Sequence, residues 1–444
     1  MNLSYKDGTL IFDGAVKIPG FLYHPQSETW RAPGYIYREA INFLKREGIV
    51  IVDNVFEAVP FPEIKQPVSH LREYQREALE KWLKEEWGII ELPTGAGKTH
   101  IALHAIYKLK VPTLIVVPTL DLLEQWRENI GKELGIDPGW AHSGRERIDA
   151  VTVTTYDTAY RKAGYFGNKF KFLVFDEVHH LAAEGYIQIA EMMPAPWRMG
   201  LTATYERPDN RHIELSRVMG NVVYKVPLKG LQKKGYLAEY QINTITVDLT
   251  PEEREEYDKA LNEYKSYIRE KMINMTSPEG IRLLVMLSAQ DINARKALLA
   301  RQRAREIAFN SDSKLNAVKE ILEKHPDRKA IIFTEYNEMA NKIGRKFLIP
   351  IITHETPENE RQDILNNFRS GKYKVIVTSK VLNEGIDVPD ASLGIIVCGS
   401  GSKREFIQRL GRLLRPKETH AILYEIVSKK TSEIFILERR REIE

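Results

Sequence analysis

Short apolar runs alternate with amphipathic, helix-like stretches along most of the chain. Between about residues 70 and 225 these runs are GIIEL, TLIVVP, AVTVTTY, FKFLVF and RMGLTAT. Continuous apolar strands separated by helices are typical of a parallel sheet that is covered on both faces. From about residue 328 the pattern returns in KAIIFTEY, IPIITH, YKVIVTS, LGIIVCG and AILYEIV. The pattern therefore predicts an α/β fold with two parallel-sheet domains.

Two further segments have patterns of their own. Residues 1–66 predict a small α+β domain, in which the strands TLIFDGAV and GIVIVDNVF flank a helix that ends at Gly48. Residues 250–305 are helical and highly charged, and Thr250-Pro251-Glu252-Glu253 fits a capping box with proline at the first helical position. We therefore expect domains at 1–66, 67–225 and 226–444, the last with a helical insertion at about 250–305.

Composition restricts the function classes. Of the 444 residues, 43% are hydrophobic and 28% are charged, which is typical of a globular chain long enough for at least two domains. The formal net charge of +4 permits a polyanionic partner but does not require one. The single cysteine, Cys398, excludes an internal disulfide and a cysteine-based zinc site. The start MNLSYKDGTL lacks a signal-peptide pattern, and no apolar run approaches the ~18 residues of a membrane helix, so we expect a cytoplasmic protein with no membrane partner.

The segment ELPTGAGKTH has the context of a phosphate-binding loop, because it follows the predicted strand GIIEL and precedes the helical HIALHAIYKL. Gly95 and Gly97 allow backbone amides to turn towards phosphate oxygens. Lys98 can reach the β- and γ-phosphates, and the Thr99 hydroxyl can hold Mg²⁺. Leu92 stands where the strict pattern has glycine. We predict a nucleotide and Mg²⁺ site whose loop consists of Leu92, Pro93, Thr94, Gly95, Ala96, Gly97, Lys98 and Thr99.

A pair of carboxylates ends the apolar strand in FKFLVFDEVHH. Because the carboxyl ends of parallel strands meet at the ligand crevice, Asp176 can complete the Mg²⁺ shell and Glu177 can polarise the attacking water. Glycosidase carboxylates lie on opposite sides of a sugar, which adjacent residues at one strand end do not match. A zinc site at Glu177, His179 and His180 lacks the helical H-E-x-x-H spacing. We expect His179 to couple the γ-phosphate side of the site to a neighbouring motif.

Residues before and far after this loop complete the candidate site. Arg72 and Gln75 precede a helix in LREYQREAL, and Gln75 carries the donor and the acceptor that an adenine edge requires. If residues 404–415 are helical, Gln408, Arg412 and Arg415 of QRLGRLLRP share one face, and Arg409 stands apart. A guanidinium supplied across a domain cleft stabilises charge on a transferred phosphoryl group. We predict this role for the shared face.

The ordered motifs of residues 70–425 resemble those of superfamily 2 helicases. They are REYQ, PTGAGKT, VPTLDLLEQW, VTTYDTAY, DEVHH, LTAT, IIFTEY, VTSKVLNEGIDVP and QRLGRLLR. WRAPGY near the N-terminus and ARQRAREIAFNSDSK before the second sheet domain are similar to the xeroderma pigmentosum group B helicase family in a compact, archaeal-type form. The resemblance implies two RecA-like domains, an N-terminal domain that senses damaged DNA and a thumb-like insertion at 250–305.

The resemblance also implies roles for individual residues. Thr119, Thr155 and Thr378 occupy loop positions where family members grip the sugar–phosphate backbone. Thr202 and Thr204 would couple hydrolysis to movement, and Gly385 and Asp387 would line the nucleotide cleft from the second domain. The family has Arg-Glu-Asp after T-A-T; here Arg207 and Asp209 fit, Pro208 replaces the central glutamate, and Glu206 lies one place early.

The implied activity is ATP-dependent opening of duplex DNA in nucleotide excision repair, with 3′ to 5′ polarity and forked, bubble or damaged DNA as substrate. Two alternatives stay open at this point: a double-stranded DNA translocase that never separates strands, and a damage-sensing clamp that uses the motor only to hold DNA. The resemblance further implies a monomer that pairs with a structure-specific nuclease.

Overall fold

The computed structural model describes residues 1–206, 211–227, 230–231, 236, 240–275, 278–379, 391–397 and 420–441. The described residues form two compact units, which divide between residues 236 and 240. None of the helices in these ranges is long and apolar enough to cross a membrane.

The N-terminal part of the first unit is a small sheet with one helix against it. Its elements are β1 (Asn2–Lys6), β2 (Thr9–Asp13), β3 (Leu22–His24), β4 (Thr29–Pro33), α1 (Tyr37–Arg46) and β5 (Val52–Asn54). The strand order is β3-β4-β2-β1-β5, and only the β1–β5 pair is parallel among these strands. Leu10 and Phe12 of β2 are buried against Ala40 and Leu44 of α1, as expected where alternate strand residues meet the inner face of a helix.

The rest of the first unit is a larger sheet flanked by helices. Its described strands are β6 (Trp87–Glu91), β7 (Thr113–Val117), β8 (Gly139–His142), β9 (Arg145–Arg147), β10 (Val151–Thr155), β11 (Phe172–Asp176), β12 (Trp197–Thr202) and β13 (Val222–Lys225). The helices are α2 (Glu73–Glu85), α3 (Lys98–Leu109), α4 (Leu120–Leu134), α5 (Tyr156–Arg161), α6 (Ala163–Phe166), α7 (Ile187–Met192) and α8 (Leu215–Met219). The order is β13-β6-β12-β11-β7-β10-β8-β9, and every described pair except β8–β9 is parallel.

The second unit contains a parallel sheet of its own. Its described strands are β14 (Tyr240–Val247), β15 (Ala330–Phe333), β16 (Ile351–Ile352), β17 (Val375–Thr378), β18 (Leu393–Ile396) and β19 (Ala421–Ser428), in the order β14-β19-β18-β15-β17-β16. The helices are α9 (Pro251–Glu270), α10 (Pro278–Leu287), α11 (Ile292–Phe309), α12 (Ser313–Lys324), α13 (Asn337–Phe347), α14 (Glu358–Arg369) and α15 (Ser432–Arg441). The predicted capping box of α9 is confirmed, since Thr250 Oγ1 accepts from Glu253 N and Glu253 Oε2 accepts from Thr250 N.

A buried ion pair joins the start of α12 to α15 in the second unit. Lys314 is fully buried, and its Nζ lies 2.8 Å from both carboxylate oxygens of Glu433 and 3.0 Å from the Val397 carbonyl oxygen. Glu433 also accepts from the Ser428 N–H. Each charge is therefore stable in the core only because the other one is present.

Replacing Lys314 by alanine is expected to destabilise the second unit by about 3–5 kcal/mol, because it leaves the Glu433 carboxylate buried and without its cation. All six tryptophans lie between Trp30 and Trp197, in the first unit. Tryptophan fluorescence therefore follows the first unit alone, whereas circular dichroism follows both units during thermal unfolding. We expect an early transition in circular dichroism that fluorescence does not show. Lys319→Ala, which breaks an exposed pair with Glu323, is the matched control; equal melting of the two variants would contradict the prediction.

Close backbone contacts fix the N-terminal domain on the larger sheet of the first unit. A Cβ atom on Gly34 would lie 2.2 Å from the carbonyl oxygen of Met192, and one on Gly8 would lie 2.4 Å from Met192 Cε. The Met192 segment is itself held by the buried Arg198, which donates to the carbonyl oxygens of Ala190 (2.9 Å), Ala195 (3.1 Å) and Val218 (2.7 Å). The WRAPGY motif thus supplies a packing contact, because only glycine allows this approach.

Replacing Gly34 by alanine is expected to loosen this contact without unfolding the larger sheet, because the clash is with backbone that Arg198 holds in place. The measurement is hydrogen exchange, which we expect to rise in residues 5–8 and 189–193 and to stay unchanged in β7 and β11. Gly131→Ala is the control, since a Cβ there meets only the Ile136 oxygen at 3.7 Å. Unchanged exchange in Gly34→Ala would show that the contact adapts at no cost.

Candidate nucleotide-hydrolysis site

Apart from Arg72 and Gln75 at the start of α2, the described predicted residues of the first sheet domain lie at or just after the C-terminal ends of five neighbouring strands. Glu91, at the end of β6, pairs in register with Thr202 of β12, and Leu201 of β12 pairs with Asp176 of β11. The strands β7 and β10, which follow β11 in the sheet order, lead into Thr119 and Thr155. The candidate nucleotide residues and the candidate DNA-contact residues therefore share one sheet edge, with the Asp176–Glu177 pair between them.

The loop between β6 and α3 forms a tight backbone cradle. Gly95 and Gly97 have φ angles of 81° and 75°, which side-chain-bearing residues rarely adopt. A Cβ on Gly97 would lie 2.4 Å from Gln75 Nε2, so the cradle has no room for one. Lys98 starts α3 and donates from Nζ to the Leu92 carbonyl oxygen at 3.2 Å, a partner that an arriving phosphate can replace.

The departure at position 92 has a structural reason. The Leu92 side chain is fully buried, and its N–H donates to the Thr202 carbonyl oxygen at 3.0 Å. Leu92 therefore continues the β6–β12 pairing into the core before the loop begins, and the conformational freedom of the loop comes from Gly95 and Gly97 instead.

Gln75 supports the cradle. Its Oε1 accepts from the Arg72 N–H at 2.8 Å, and its Nε2 donates to the Ala96 carbonyl oxygen at 2.8 Å. Tyr74 adds a second bond to that oxygen, also at 2.8 Å. Arg72 donates from Nη1 to the Tyr236 carbonyl oxygen at 3.1 Å. The adenine contacts of Arg72 and Gln75 stay predictions, and that of Gln75 requires its amide to exchange these partners.

The acidic pair at the end of β11 is closely held. Asp176 is buried; its Oδ2 accepts from Trp126 Nε1 at 2.8 Å and its Oδ1 accepts from the Glu177 N–H at 3.0 Å. Burial, followed by the charge of Glu177, raises the pKa of Asp176 to about 6, while Trp126 and the charge of Lys98 lower that pKa. Glu177 has a left-handed backbone with φ of 48°, which is uncommon outside glycine and asparagine. The pair thus has the negative charge and the fixed geometry that a cation site needs.

His179 links the acidic pair to the end of β12. Its Nδ1 lies 3.1 Å from Thr202 Oγ1 and 3.5 Å from Glu177 Oε2. The Thr202 hydroxyl donates to the Thr204 carbonyl oxygen at 2.9 Å and accepts from the Thr204 N–H at 3.2 Å. Since that hydroxyl has one proton and donates it to Thr204, Nδ1 of His179 is the donor to Thr202. The predicted coupling residues therefore form one connected network.

The predicted DNA-contact residues have different environments. Thr119 and Thr155 cap the N-termini of α4 and α5, where their hydroxyls accept from the N–H groups of Leu122 and Thr158. Thr378, at the end of β17 in the second unit, is fully buried and donates to the Ser379 carbonyl oxygen, so a DNA contact there requires it to become exposed. The other predicted residues lie outside the described part of the chain: Arg207, Asp209, Gly385, Asp387, Gln408, Arg412 and Arg415.

Two aromatic residues of this site were not predicted from the sequence. Trp126 binds the Asp176 carboxylate, and the Tyr156 hydroxyl donates to the Asp176 carbonyl oxygen at 3.0 Å. A signal was present for Trp126, because it shares the apolar face of α4 with Leu123 and Ile130. A buried indole N–H requires an acceptor, so the sequence could have predicted a polar partner for Trp126 but not that the partner is Asp176.

Family models match three parts of the chain. Residues 69–207 match the res subunit of type III restriction enzymes, and residues 313–417 match the helicase conserved C-terminal domain. Residues 3–55 match the damage recognition domain of the xeroderma pigmentosum group B (XPB) helicase. The helicase domain of Pyrococcus furiosus Hef aligns over 84% of this chain and 98% of its own with a TM-score of 0.53 and 22% identity, a likeness of fold. The protein is an ATP-dependent helicase of superfamily 2 with two RecA-like domains, as the sequence predicted.

Relatives along the whole chain define the family. The DNA 3′-5′ translocase XPB2 of Sulfurisphaera tokodaii is 44% identical over 99% of both chains. The DNA 3′-5′ helicase XPB of Mycobacterium tuberculosis is 30% identical over 84% of this chain and 63% of its own. The XPB subunit of the general transcription and DNA repair factor IIH of Schizosaccharomyces pombe is 28% identical over 88% of this chain and 47% of its own. The chain belongs to the XPB helicase family.

Proposed function

We propose that this protein hydrolyses ATP with Mg²⁺ to move 3′ to 5′ along DNA and open duplexes during nucleotide excision repair. The observation that carries the proposal is the shared sheet edge, where the Lys98 loop, the Asp176–Glu177 pair and the capping residues Thr119 and Thr155 follow one another along five strands. Membership of the XPB family supports the direction and the DNA substrate, since XPB relatives are named as 3′-5′ translocases and helicases.

ATP fits the cradle by its shape and charge. The positive φ angles of Gly95 and Gly97 give the loop its tight turn, and the N-terminus of α3 adds partial positive charge. Lys98 would contact the β- and γ-phosphates, and Thr99 with Asp176 would hold Mg²⁺. The metal, when bound, neutralises charge that develops on the phosphates. Glu177 would orient the attacking water, and its Oε2 is buried without a hydrogen bond among the described residues.

DNA is proposed to bind through its backbone. Helix N-termini with threonine caps suit phosphate oxygens, and such contacts position a duplex without reading its sequence. Thr119 and Thr155 would supply these contacts from the first unit, and Thr378 from the second. The 3–55 segment would present damaged DNA to the motor, as its family model suggests. The Arg207 and Asp209 loop, Gly385 and Asp387 keep the roles that the motifs predict.

The test is ATPase activity on single-stranded, duplex, forked and bubble DNA, with RNA of matched length as the control. We expect DNA to stimulate hydrolysis several-fold and RNA not to do so. Equal rates with DNA, with RNA and without nucleic acid would refute the proposal.

Strand separation requires a second pair of assays. A forked-duplex unwinding assay beside a triplex-displacement assay distinguishes a helicase from a translocase that leaves the duplex closed. Displacement of the triplex without unwinding of the fork would favour the translocase, and the name of the Sulfurisphaera tokodaii relative makes that the second candidate. We also propose that the protein acts as a monomer and pairs with a structure-specific nuclease, which affinity purification with nuclease assays of the eluate would test.

A further inference from the structure

One hydrogen bond connects α4 directly to the acidic pair. Thr119 caps the N-terminus of α4, and Trp126 lies two turns further along the same helix. Trp126 is buried, and its indole N–H donates to Asp176 Oδ2 at 2.8 Å. The other oxygen of this carboxylate is held by the Glu177 N–H. The orientation of the Asp176 carboxylate thus depends on a residue of a helix whose N-terminus faces the candidate DNA surface.

A second hydrogen bond connects α5 to the same pair. Tyr156 is the first residue of α5 and directly follows its cap, Thr155. The Tyr156 hydroxyl lies 3.0 Å from the carbonyl oxygen of Asp176 and 3.4 Å from that of Glu177. Glu177 has a left-handed backbone that costs free energy for a side-chain-bearing residue. A hydroxyl whose single proton is shared between the two carbonyl oxygens favours that conformation, and the backbone conformation directs the Glu177 side chain.

We infer that Trp126 and Tyr156 are positioning residues through which DNA, bound at Thr119 and Thr155, activates hydrolysis by Asp176 and Glu177. The inference rests on the proposed function. A phosphate at a helix cap would take hydrogen bonds from the N-terminal N–H groups, and a shift of the helix as a rigid element would reach the acidic pair. Each of the two helices has its own bond to the acidic pair, one to a carboxylate and one to the backbone. Since hydrogen bonds depend steeply on distance and angle, small helix shifts suffice to reorient the pair.

The variants Trp126→Phe and Tyr156→Phe test the inference, because each removes a donor and keeps an aromatic ring. We expect the several-fold ratio of ATPase rates with and without saturating DNA to fall towards one in each variant, because the donor that links the helix to the acidic pair is lost. DNA affinity, measured by fluorescence anisotropy, should stay within about twofold of wild type because the capping threonines are intact. A pure folding defect would instead lower both the affinity and the melting temperature.

Two matched controls use bonds of the same type elsewhere. Trp82→Phe removes a buried indole donor to the Arg198 carbonyl oxygen, and Tyr186→Phe removes a hydroxyl beside Asp157 from a ring that stacks on Tyr156. Neither residue has a hydrogen bond to Asp176 or Glu177 among the contacts described, so both variants should keep the DNA stimulation ratio. Loss of the ratio in the controls as well would overturn the inference in favour of a general packing effect.

A readout without nucleotide separates the inference from the proposed function. In wild type, DNA alone should change hydrogen exchange in residues 174–182, and in the Phe variants this change should disappear although DNA still binds. If wild-type hydrolysis does not respond to DNA, the proposed function fails. If wild type responds and both folded variants respond equally, only the inference fails. If Trp126→Phe does not fold, the DNA stimulation ratio of Tyr156→Phe alone tests the inference.

Discussion

Replacing Lys98 by alanine is expected to lower DNA-stimulated ATPase activity at least about 10²- to 10³-fold, the cost of losing one preorganised group at the developing charge. Lys98 is the first residue of α3, and its ammonium group donates to the Leu92 carbonyl oxygen at the other end of the loop. The variant loses the positive charge that should contact the β- and γ-phosphates, and no other described lysine belongs to the loop. Phosphate release at saturating ATP and DNA is the measurement.

Lys108→Ala is the matched control, because Lys108 is an exposed residue in the last turn of the same helix. DNA affinity should be unchanged in both variants, since Thr119 and Thr155 belong to other strand ends. Affinity for lesion-containing DNA is also expected to survive in Lys98→Ala if the 3–55 segment acts as a damage clamp. A Lys98→Ala protein that hydrolyses ATP at near-normal rates would refute the assignment of the cradle.

The sheet domains could be predicted from sequence because their central strands are buried along their whole length. Every residue of β7, β10 and β11 is buried, and β7 and β11 are nearly continuous apolar runs that a pattern can detect, while β10 alternates valine with threonine, two residue types that favour strands. The strand β9 is exposed at all three residues and reads Arg-Glu-Arg, which carries no such pattern. The edge strands β13 and β14 were not predicted either; β13 has only four residues, and polar residues interrupt the apolar ones of β14.

The candidate site likewise contains residues that could be predicted from sequence and residues that could not. Lys98, Asp176 and Thr202 were predictable as motif residues because each follows or ends a recognisable strand, and parallel strands bring those ends together. The bond from Trp126 to Asp176 spans 50 positions, and only the packing of α4 on β7 and β10, the strands that follow β11 in the sheet, creates it. Gln75 shows the opposite case. Its chemistry suits adenine, yet its amide binds the Arg72 N–H and the Ala96 carbonyl oxygen.

Replacing Arg412 by alanine is expected to lower DNA-stimulated ATPase activity about 10³- to 10⁵-fold, the range for a guanidinium that stabilises phosphoryl transfer. Arg412 lies outside the described residues, so the expectation rests on the predicted helix face that it shares with Gln408 and Arg415. Arg409→Ala is the control, because the same helix would point Arg409 elsewhere. Near-normal hydrolysis in Arg412→Ala would refute the assignment.

The double variant Lys98→Ala/Arg412→Ala tests whether the two side chains act on the same phosphoryl group, because residues that act on one transferred group have strongly non-additive effects. If both side chains stabilise the same phosphoryl group, the double variant should be hardly slower than the worse single variant. ATP affinity should also distinguish the two residues. Lys98→Ala should weaken ATP binding and turnover together, whereas Arg412→Ala should lower turnover and leave ATP affinity nearly intact. Losses that multiply in the double variant would mean that the two residues act on different steps, and Arg412 would then need another explanation.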